Sequence, residues 1–139
     1  ALVISEALRM YPPLGLMPRY ALQEFEYKGY TLPANSACVI SSLFTHYMEE
    51  YWTNPYTFDP ERFSAERAED KKHFFQYIPF GGGAHKCRGL HFAQVQGKIF
   101  LYHFFRKYRV SKEPGQRFKY NNVPLTFPTN GLPLTVTPR

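Results

Sequence analysis

The chain is poor in cysteine, has no long apolar run, and carries almost no acid in its second half. Two cysteines in 139 residues, Cys38 and Cys87, are too few for the disulfide scaffold of a small secreted domain. No stretch approaches the roughly 20 apolar residues that a membrane-spanning helix needs. Because 44% of the residues are apolar and 18% are aromatic, the composition also excludes an intrinsically disordered chain.

Charge is divided unevenly along the sequence. Residues 1–70 carry five basic and ten acidic side chains, whereas residues 71–139 carry twelve basic side chains and a single acid, Glu113. The formal net charge of +6 therefore combines an acidic first half with a strongly basic second half. This division predicts a positive face and an anionic partner. A solvated helix face is the alternative, and no motif for nucleic-acid binding is present.

Apolar periodicity predicts two helices and one shorter helical segment. The first helix is expected from Leu2 to about Tyr11, where Pro12-Pro13 ends it. The longest helix is expected from Leu90 to about Tyr108, with apolar residues at steps of three and four. One or two helical turns are expected between Phe44 and Tyr51.

Strands are predicted as short and antiparallel, which makes the chain α+β, mainly α with small antiparallel sheets. Alternating apolar and polar residues around Lys28-Gly29 predict a hairpin over 20–32. Short strands are also expected at 38–40 and beyond residue 110. Leu14 to Pro18 is predicted as an apolar connector, and 66–72 as a charged surface stretch.

The most informative segment runs from Pro79 to Gly89 and reads PFGGGAHKCRG. Successive glycines allow positive φ angles and a close approach of the backbone to a flat object. Cys87 lies just before the predicted long helix, whose N-terminus, together with Lys86 and Arg88, favours a thiolate. This chemistry suits a thiolate held against a planar cofactor.

Other interpretations of the same loop stay open at the level of residue types. A phosphate-binding loop is disfavoured because Gly-Lys-Ser/Thr is missing. A zinc site needs four ligands, and His85, Cys87 and His91 have no recognised spacing. A nucleophilic cysteine with His85 as its base, or a tight turn with a structural cysteine, is also compatible with the pattern.

The spacing Phe80-x-x-Gly83-x-His85-x-Cys87-x-Gly89 resembles the haem-binding loop of the cytochrome P450 family. The resemblance implies that haem b is the cofactor and that Cys87 is both its iron ligand and the catalytic centre. Two further landmarks of the family occur in the expected order, Glu6-x-x-Arg9 and 58–63, which reads FDPERF. The family pattern implies that Arg62 joins Glu6 and Arg9 in a structural triad that locks the first helix to the meander carrying the loop.

The resemblance also assigns residues around the haem and the substrate. His85 stands where many members carry arginine, and Arg88 replaces the usual apolar residue after the cysteine. His85 and Arg19 match positions that bind the haem propionates. The implied cofactor-binding set is Cys87, His85, Arg19, Phe80, Gly81 and Ala93. The residues implied to line the substrate pocket are Leu14, Leu16, Met17 and Phe127, and their apolar character favours a lipophilic substrate.

In fold terms, the resemblance implies the C-terminal part of a single cytochrome P450 domain. It would comprise the Glu-x-x-Arg helix, the meander, the cysteine loop, the long proximal helix and a final hairpin. We expect residues 1–139 to be a fragment, because the sequence enters a helix at once and the distal oxygen-binding helix would lie before position 1. We therefore expect the isolated chain not to turn over substrate.

The implied reaction is the insertion of one oxygen atom from O₂ into a lipophilic organic substrate. Electrons would come from an acidic ferredoxin, flavodoxin or reductase that docks on a basic face made of Lys86, Arg88, Lys98, Arg106 and Lys107. The alternatives are a haem-thiolate isomerase or dehydratase without external electrons, and a basic interaction module without enzymatic activity. Segments 47–63 and 67–71 also resemble the sterol 14-demethylase branch of the family.

Overall fold

The structure, a computed structural model, describes residues 1–139 and consists of short helices and paired strands. Its helices are α1 (Leu2–Met10), α2 (Ser42–His46) and α3 (Leu90–Lys107). Its strands are β1 (Leu16–Tyr20), β2 (Phe25–Tyr27), β3 (Tyr30–Leu32), β4 (Ala37–Ser41), β5 (Tyr108–Ser111), β6 (Tyr120–Asn121), β7 (Phe127–Pro128) and β8 (Thr135–Pro138). They form four antiparallel pairs, β1–β4, β2–β3, β5–β8 and β6–β7. The predicted α+β class with small antiparallel sheets is therefore confirmed.

The two longer predicted helices are confirmed, and each ends within one residue of the predicted position. α1 ends at Met10, immediately before the segment in which Pro12-Pro13 prevents continuation. α3 covers 18 residues and leads directly into β5. The middle helix is shorter and earlier than predicted, because the Ser41 hydroxyl accepts a hydrogen bond from the Phe44 N–H (3.1 Å) and starts α2 at Ser42.

The predicted hairpin is confirmed, and the predicted connector is wrong in part. β2 and β3 meet at Lys28-Gly29, whose φ angles of 50° and 82° suit a tight turn. Leu16–Tyr20, by contrast, is strand β1, paired with Ala37–Ser41 so that Met17 lies opposite Ile40. Because β1 pairs on one side only, the missing N–H of Pro18 interrupts no second ladder.

The buried interior lies where α1 and α2 meet the meander and is mainly polar. Of the eight largest fully buried side chains, six are polar or charged, and the other two are Trp52 and Pro12. The meander contains two 3-10 turns, Pro60–Phe63 and Glu69–Lys71, and the first of them packs on α1. α3 has no fully buried residue. No helix combines the length and the apolar character needed to cross a membrane.

Candidate functional site

Glu6 and Arg9 lie one turn apart on α1 and form a forked ion pair that is completely shielded from solvent. Arg9 Nε and Nη2 donate to the two carboxylate oxygens of Glu6 at 2.7 and 2.9 Å. Arg9 also donates to the carbonyls of His46 (2.6 Å) and Pro55 (2.7 Å). One guanidinium thus joins α1 to the end of α2 and to the meander.

Arg62 is the third member of this cluster and is also fully buried. Its Nε donates to Glu6 Oε1 at 3.1 Å. Its other nitrogens donate to Glu69 and to three meander carbonyls, those of Thr53, Asn54 and Thr57, at 2.7 to 3.2 Å. The structure therefore brings the predicted triad together, and Arg62 additionally sets the course of the meander backbone.

A second carboxylate, Glu69, extends the cluster toward the surface. The predicted charged surface stretch is wrong at this residue, because Glu69 is only 5% exposed. It accepts hydrogen bonds from Arg62 Nη1 (2.9 Å), from the Thr53 N–H (3.2 Å) and from Arg67 Nη2 (2.5 Å). Burial by itself raises the pKa of Glu69, but these hydrogen bonds lower it by more, so the pKa lies below its usual value.

Arg67 forms the exposed edge of the cluster. Its Nη1 donates to Asp59 Oδ2 at 2.6 Å, and this hydrogen bond lowers the pKa of the Asp59 carboxyl. Asp59 in turn accepts from the Glu61 N–H (3.1 Å) and caps the first 3-10 turn. The ionic cluster thus runs from the buried face of α1 to solvent.

A strap of three residues, 76–78, connects this cluster to the glycine loop. The Gln76 amide donates to the carbonyls of Tyr51 and Glu69. The Tyr77 hydroxyl donates to the Ser5 carbonyl (3.0 Å), and the Ile78 N–H donates to His46 Nε2 (3.0 Å). Each residue of the strap is therefore fixed to a different neighbouring element.

An aromatic cluster fills the space between strap and meander. Trp52, which is 1% exposed, lies 5.7 Å from Phe63 and 6.3 Å from Tyr77 in ring-centroid distance. The Arg9 guanidinium lies 5.3 Å from the Trp52 ring, so cation–π attraction adds to the ion pairs. Trp52 is therefore the centre of the packing between α1, the meander and the strap.

The glycine loop presents the thiol of Cys87 to solvent. Gly81 and Gly83 have φ angles of 72° and 69°, which favour glycine. The Cys87 N–H donates to the Phe80 carbonyl at 2.9 Å and folds the loop back on itself. Cys87 is exposed. Arg88 separates it from Gly89, the residue that directly precedes α3.

A cavity of about 740 Å³ opens beside this thiol. Cys87, Phe80 and Gly81 line it from the loop, and Leu14 and Met17 line it from β1 and the residues just before β1. The lining also contains two side chains that can donate hydrogen bonds to anions, Arg19 and His85. Both of these also line a neighbouring cavity of about 390 Å³.

The polar groups in this cavity are free to accept a ligand. The Arg19 side chain donates only to the adjacent Pro18 carbonyl (2.8 Å), and the His85 ring makes no hydrogen bond. Three predicted residues, Ala93, Leu16 and Phe127, do not line either cavity. No three His, Cys, Asp or Glu side chains come together as the ligands of a zinc site would.

Several residues of the site are missing from the sequence predictions. Glu69, Gln76 and His46 act through contacts with distant segments, and no spacing in the sequence marks them. Asp59 is different, because an acidic residue directly before proline is a recognisable cap for the turn that carries Arg62. That signal could have identified it.

The predicted basic face is solvent-exposed along its length. Lys86 and Arg88 flank Cys87, and the remaining members lie on α3. The Arg106 guanidinium donates to the Tyr102 hydroxyl (2.7 Å) and forms no ion pair. The positive charge around the thiol is therefore not neutralised within the chain.

Comparisons with known proteins give a consistent result. The chain is 35% identical over 139 residues to putative cytochrome P450 136 of Mycobacterium tuberculosis. It is 36% identical to taxane 13-alpha-hydroxylase of Taxus cuspidata and 34% identical to thromboxane-A synthase of Sus scrofa, each over 140 residues. These matches cover 99% of this chain and 26 to 28% of the relatives' length.

A solved structure and a family model extend these similarities to the fold. The retinoic acid-bound cyanobacterial CYP120A1 superposes with a TM-score of 0.92 and 28% identity, covering 99% of this chain and 32% of that one. The family model described as cytochrome P450 matches residues 1–136. The chain accounts for about a third or less of the length of these relatives. Because the family model matches nearly the whole chain, the chain belongs to the cytochrome P450 family.

Proposed function

We propose that this chain holds haem through Cys87 and forms the C-terminal, proximal part of a haem-thiolate monooxygenase. The observation that carries the proposal is the shared cavity, in which an exposed thiol faces the same space as Arg19 and His85. A thiol, two donors for anions and apolar walls are the groups that a haem with two propionates would require. Coverage of about 28% of its relatives supports the view that the chain is one part of a larger domain.

The residues present fit haem b. The cavity is large, it opens to solvent, and its donors are not engaged by carboxylates of the chain. The positive φ angles at positions 81 and 83 favour glycine. Because glycine has no side chain, a flat group can approach the backbone closely there. When bound through a thiolate, haem supplies oxygen activation and O–O cleavage.

Each residue of the chain has a defined part in this arrangement. Cys87 would hold the iron through its sulfur, with the positive charges of Lys86 and Arg88 next to it in the chain. Arg19 and His85 would donate to the propionates and fix the plane of the cofactor. Phe80 and Gly81 would pack beside it, and Leu14 and Met17 would keep the cavity apolar.

The proposed reaction is insertion of one atom of O₂ into a lipophilic substrate, with the other atom leaving as water. Two electrons and two protons would be required, and an acidic electron-transfer protein would supply the electrons. Unpaired positive charge around Cys87 supports docking of such a partner, since complementary charge speeds association. The proposal includes no nucleic-acid partner.

A second candidate is a rearrangement that uses no external electrons. The relatives include a protein named as a synthase as well as one named as a hydroxylase. Turnover measured with and without a reductant separates the two candidates. Oxidation that depends on the reductant supports the monooxygenase, whereas product formation without it supports the rearrangement.

The ligand assignment is tested in protein expressed from its full reading frame. We expect the reduced protein, treated with carbon monoxide, to show the red-shifted Soret band of thiolate-ligated haem. Cys87→Ala should abolish this band, and Cys38→Ala, on β4 and not among the lining residues, should leave it unchanged. A band that survives Cys87→Ala would overturn the assignment.

A further inference from the structure

His46 is a fully buried histidine that belongs to neither the predicted triad nor the cysteine loop. Its ring lies between the end of α1 and the strap 76–78, and both ring nitrogens are hydrogen-bonded. We propose that His46 is a positioning residue that fixes the start of the cysteine loop. This inference rests on the proposed function only in taking Cys87 as the ligand that the loop presents.

The hydrogen-bond partners of His46 define a single tautomer. Nδ1 lies 2.9 Å from the Arg9 carbonyl, which can only accept, so Nδ1 carries the proton. Nε2 lies 3.0 Å from the backbone nitrogen of Ile78, which can only donate, so Nε2 is the acceptor. Arg9 returns a hydrogen bond to the His46 carbonyl at 2.6 Å. A neutral ring therefore joins α1 rigidly to the strap.

From Ile78, the backbone carries this constraint to the thiol. The Ile78 carbonyl accepts from the Gly81 N–H at 3.0 Å, which closes the first turn of the loop. The Phe80 carbonyl accepts from the Cys87 N–H at 2.9 Å. The rest of the loop, from Gly83 to Gly89, is exposed to solvent. Its position therefore depends on the end that is anchored at Ile78.

The ring is held in place independently of these hydrogen bonds. Tyr77 stacks on it at 5.6 Å, and Trp52 meets it edge-on at 6.5 Å. An amide side chain can replace one of the two hydrogen bonds of the His46 ring without the other. Glutamine places an acceptor at the reach of Nε2, and asparagine places a donor at the reach of Nδ1.

The test uses haem-bound protein expressed from its full reading frame. Native-state hydrogen exchange is measured at Ile78, Gly81 and Cys87, together with the carbon monoxide spectrum. In His46→Asn we expect exchange at Ile78 to rise about tenfold or more, and the red-shifted band to lose intensity. In His46→Gln, which keeps the acceptor for Ile78, we expect both readouts to stay near wild type.

Tyr47→Phe is the matched control for a general loosening of the helices. Its hydroxyl donates to the Met10 carbonyl (2.9 Å), so it ties α2 to α1 as His46 does but makes no hydrogen bond to the strap. We expect Tyr47→Phe to leave exchange at Ile78 and the band unchanged. If it raises exchange at Ile78 as much as His46→Asn does, the positioning role is refuted.

The outcomes separate this inference from the ligand assignment. Unchanged exchange at Ile78 in His46→Asn overturns the role of His46 even where the wild-type band is present. Absence of the band from wild-type protein overturns the ligand assignment, while the exchange data still decide the role of His46. If His46→Asn does not accumulate, His46→Gln decides alone, since faster exchange at Ile78 in that variant refutes the proposal.

Discussion

Arg62 and Arg67 contact the same carboxylate, Glu69, from opposite environments, and they offer a direct measure of what burial contributes. Arg62 is fully buried, whereas the Arg67 side chain is 38% exposed. We expect Arg62→Lys to destabilise the meander strongly and Arg67→Lys to have little effect. Both substitutions keep the positive charge, so the comparison isolates hydrogen-bond geometry.

The magnitude follows from the contacts of Arg62. Three guanidinium nitrogens make five hydrogen bonds, to two carboxylates and three backbone carbonyls. A lysine ammonium has three donors on one nitrogen, so at least two of these five hydrogen bonds are lost. At about 1–2 kcal/mol for each buried acceptor, the free energy of unfolding should fall by about 2–4 kcal/mol. For Arg67→Lys the expected loss is small, because solvent screens an exposed ion pair.

The assay is native-state hydrogen exchange of the amides in 52–63, which reports the free energy of local opening. Protein expressed from its full reading frame is used, and exchange in β5 serves as an internal reference. Equal losses for the two substitutions would refute the argument, because they would show that burial adds nothing to the hydrogen bonds of the guanidinium.

Three further predictions concern the surroundings of the loop. Burial lowers the pKa of His46 from 6.5 to about 4, so the unfolded chain binds the extra proton between these values. The neutral His46 ring therefore stabilises the fold fully above pH 6.5, and the free energy of unfolding falls by about 3 kcal/mol as the pH falls toward 4. Urea midpoints measured across this pH range should show the decrease, and an equal decrease in His46→Gln would contradict the assignment to His46. Gly81→Ala should cost about 1–2 kcal/mol because its φ is 72°, whereas Gly89→Ala, at φ −80°, should cost less in thermal unfolding; equal costs would exclude backbone strain. Tyr77→Phe should cost about 1 kcal/mol by removing one hydrogen bond, and unchanged exchange of the strap would show that this bond contributes nothing.

The parts of the fold that could be predicted are those encoded locally. α1, α3 and the β2–β3 hairpin each follow from apolar periodicity or from a turn residue within the element. The pairing of β1 with β4 could not be predicted, because 16 residues separate Tyr20 from Ala37, and Pro18 disfavours a strand when it is considered alone.

The same distinction applies to the candidate site. The loop around Cys87 is a contiguous motif, and its resemblance to a known family also identified Glu6, Arg9 and Arg62. Glu69 could not be found in this way, because its burial depends on arginines placed by the folded meander. His46 was equally hidden, since its two partners lie 37 and 32 positions away in the sequence.

The polar interior has a consequence for the temperature dependence of folding. Exposure of apolar surface on unfolding raises the heat capacity, whereas exposure of polar surface lowers it. A region whose fully buried side chains are mostly Glu6, Arg9, Arg62 and other polar groups should therefore unfold with a small heat-capacity change. Because the cost of dehydrating charged groups also falls on heating, this ionic centre should contribute an increasing share of the stability as temperature rises.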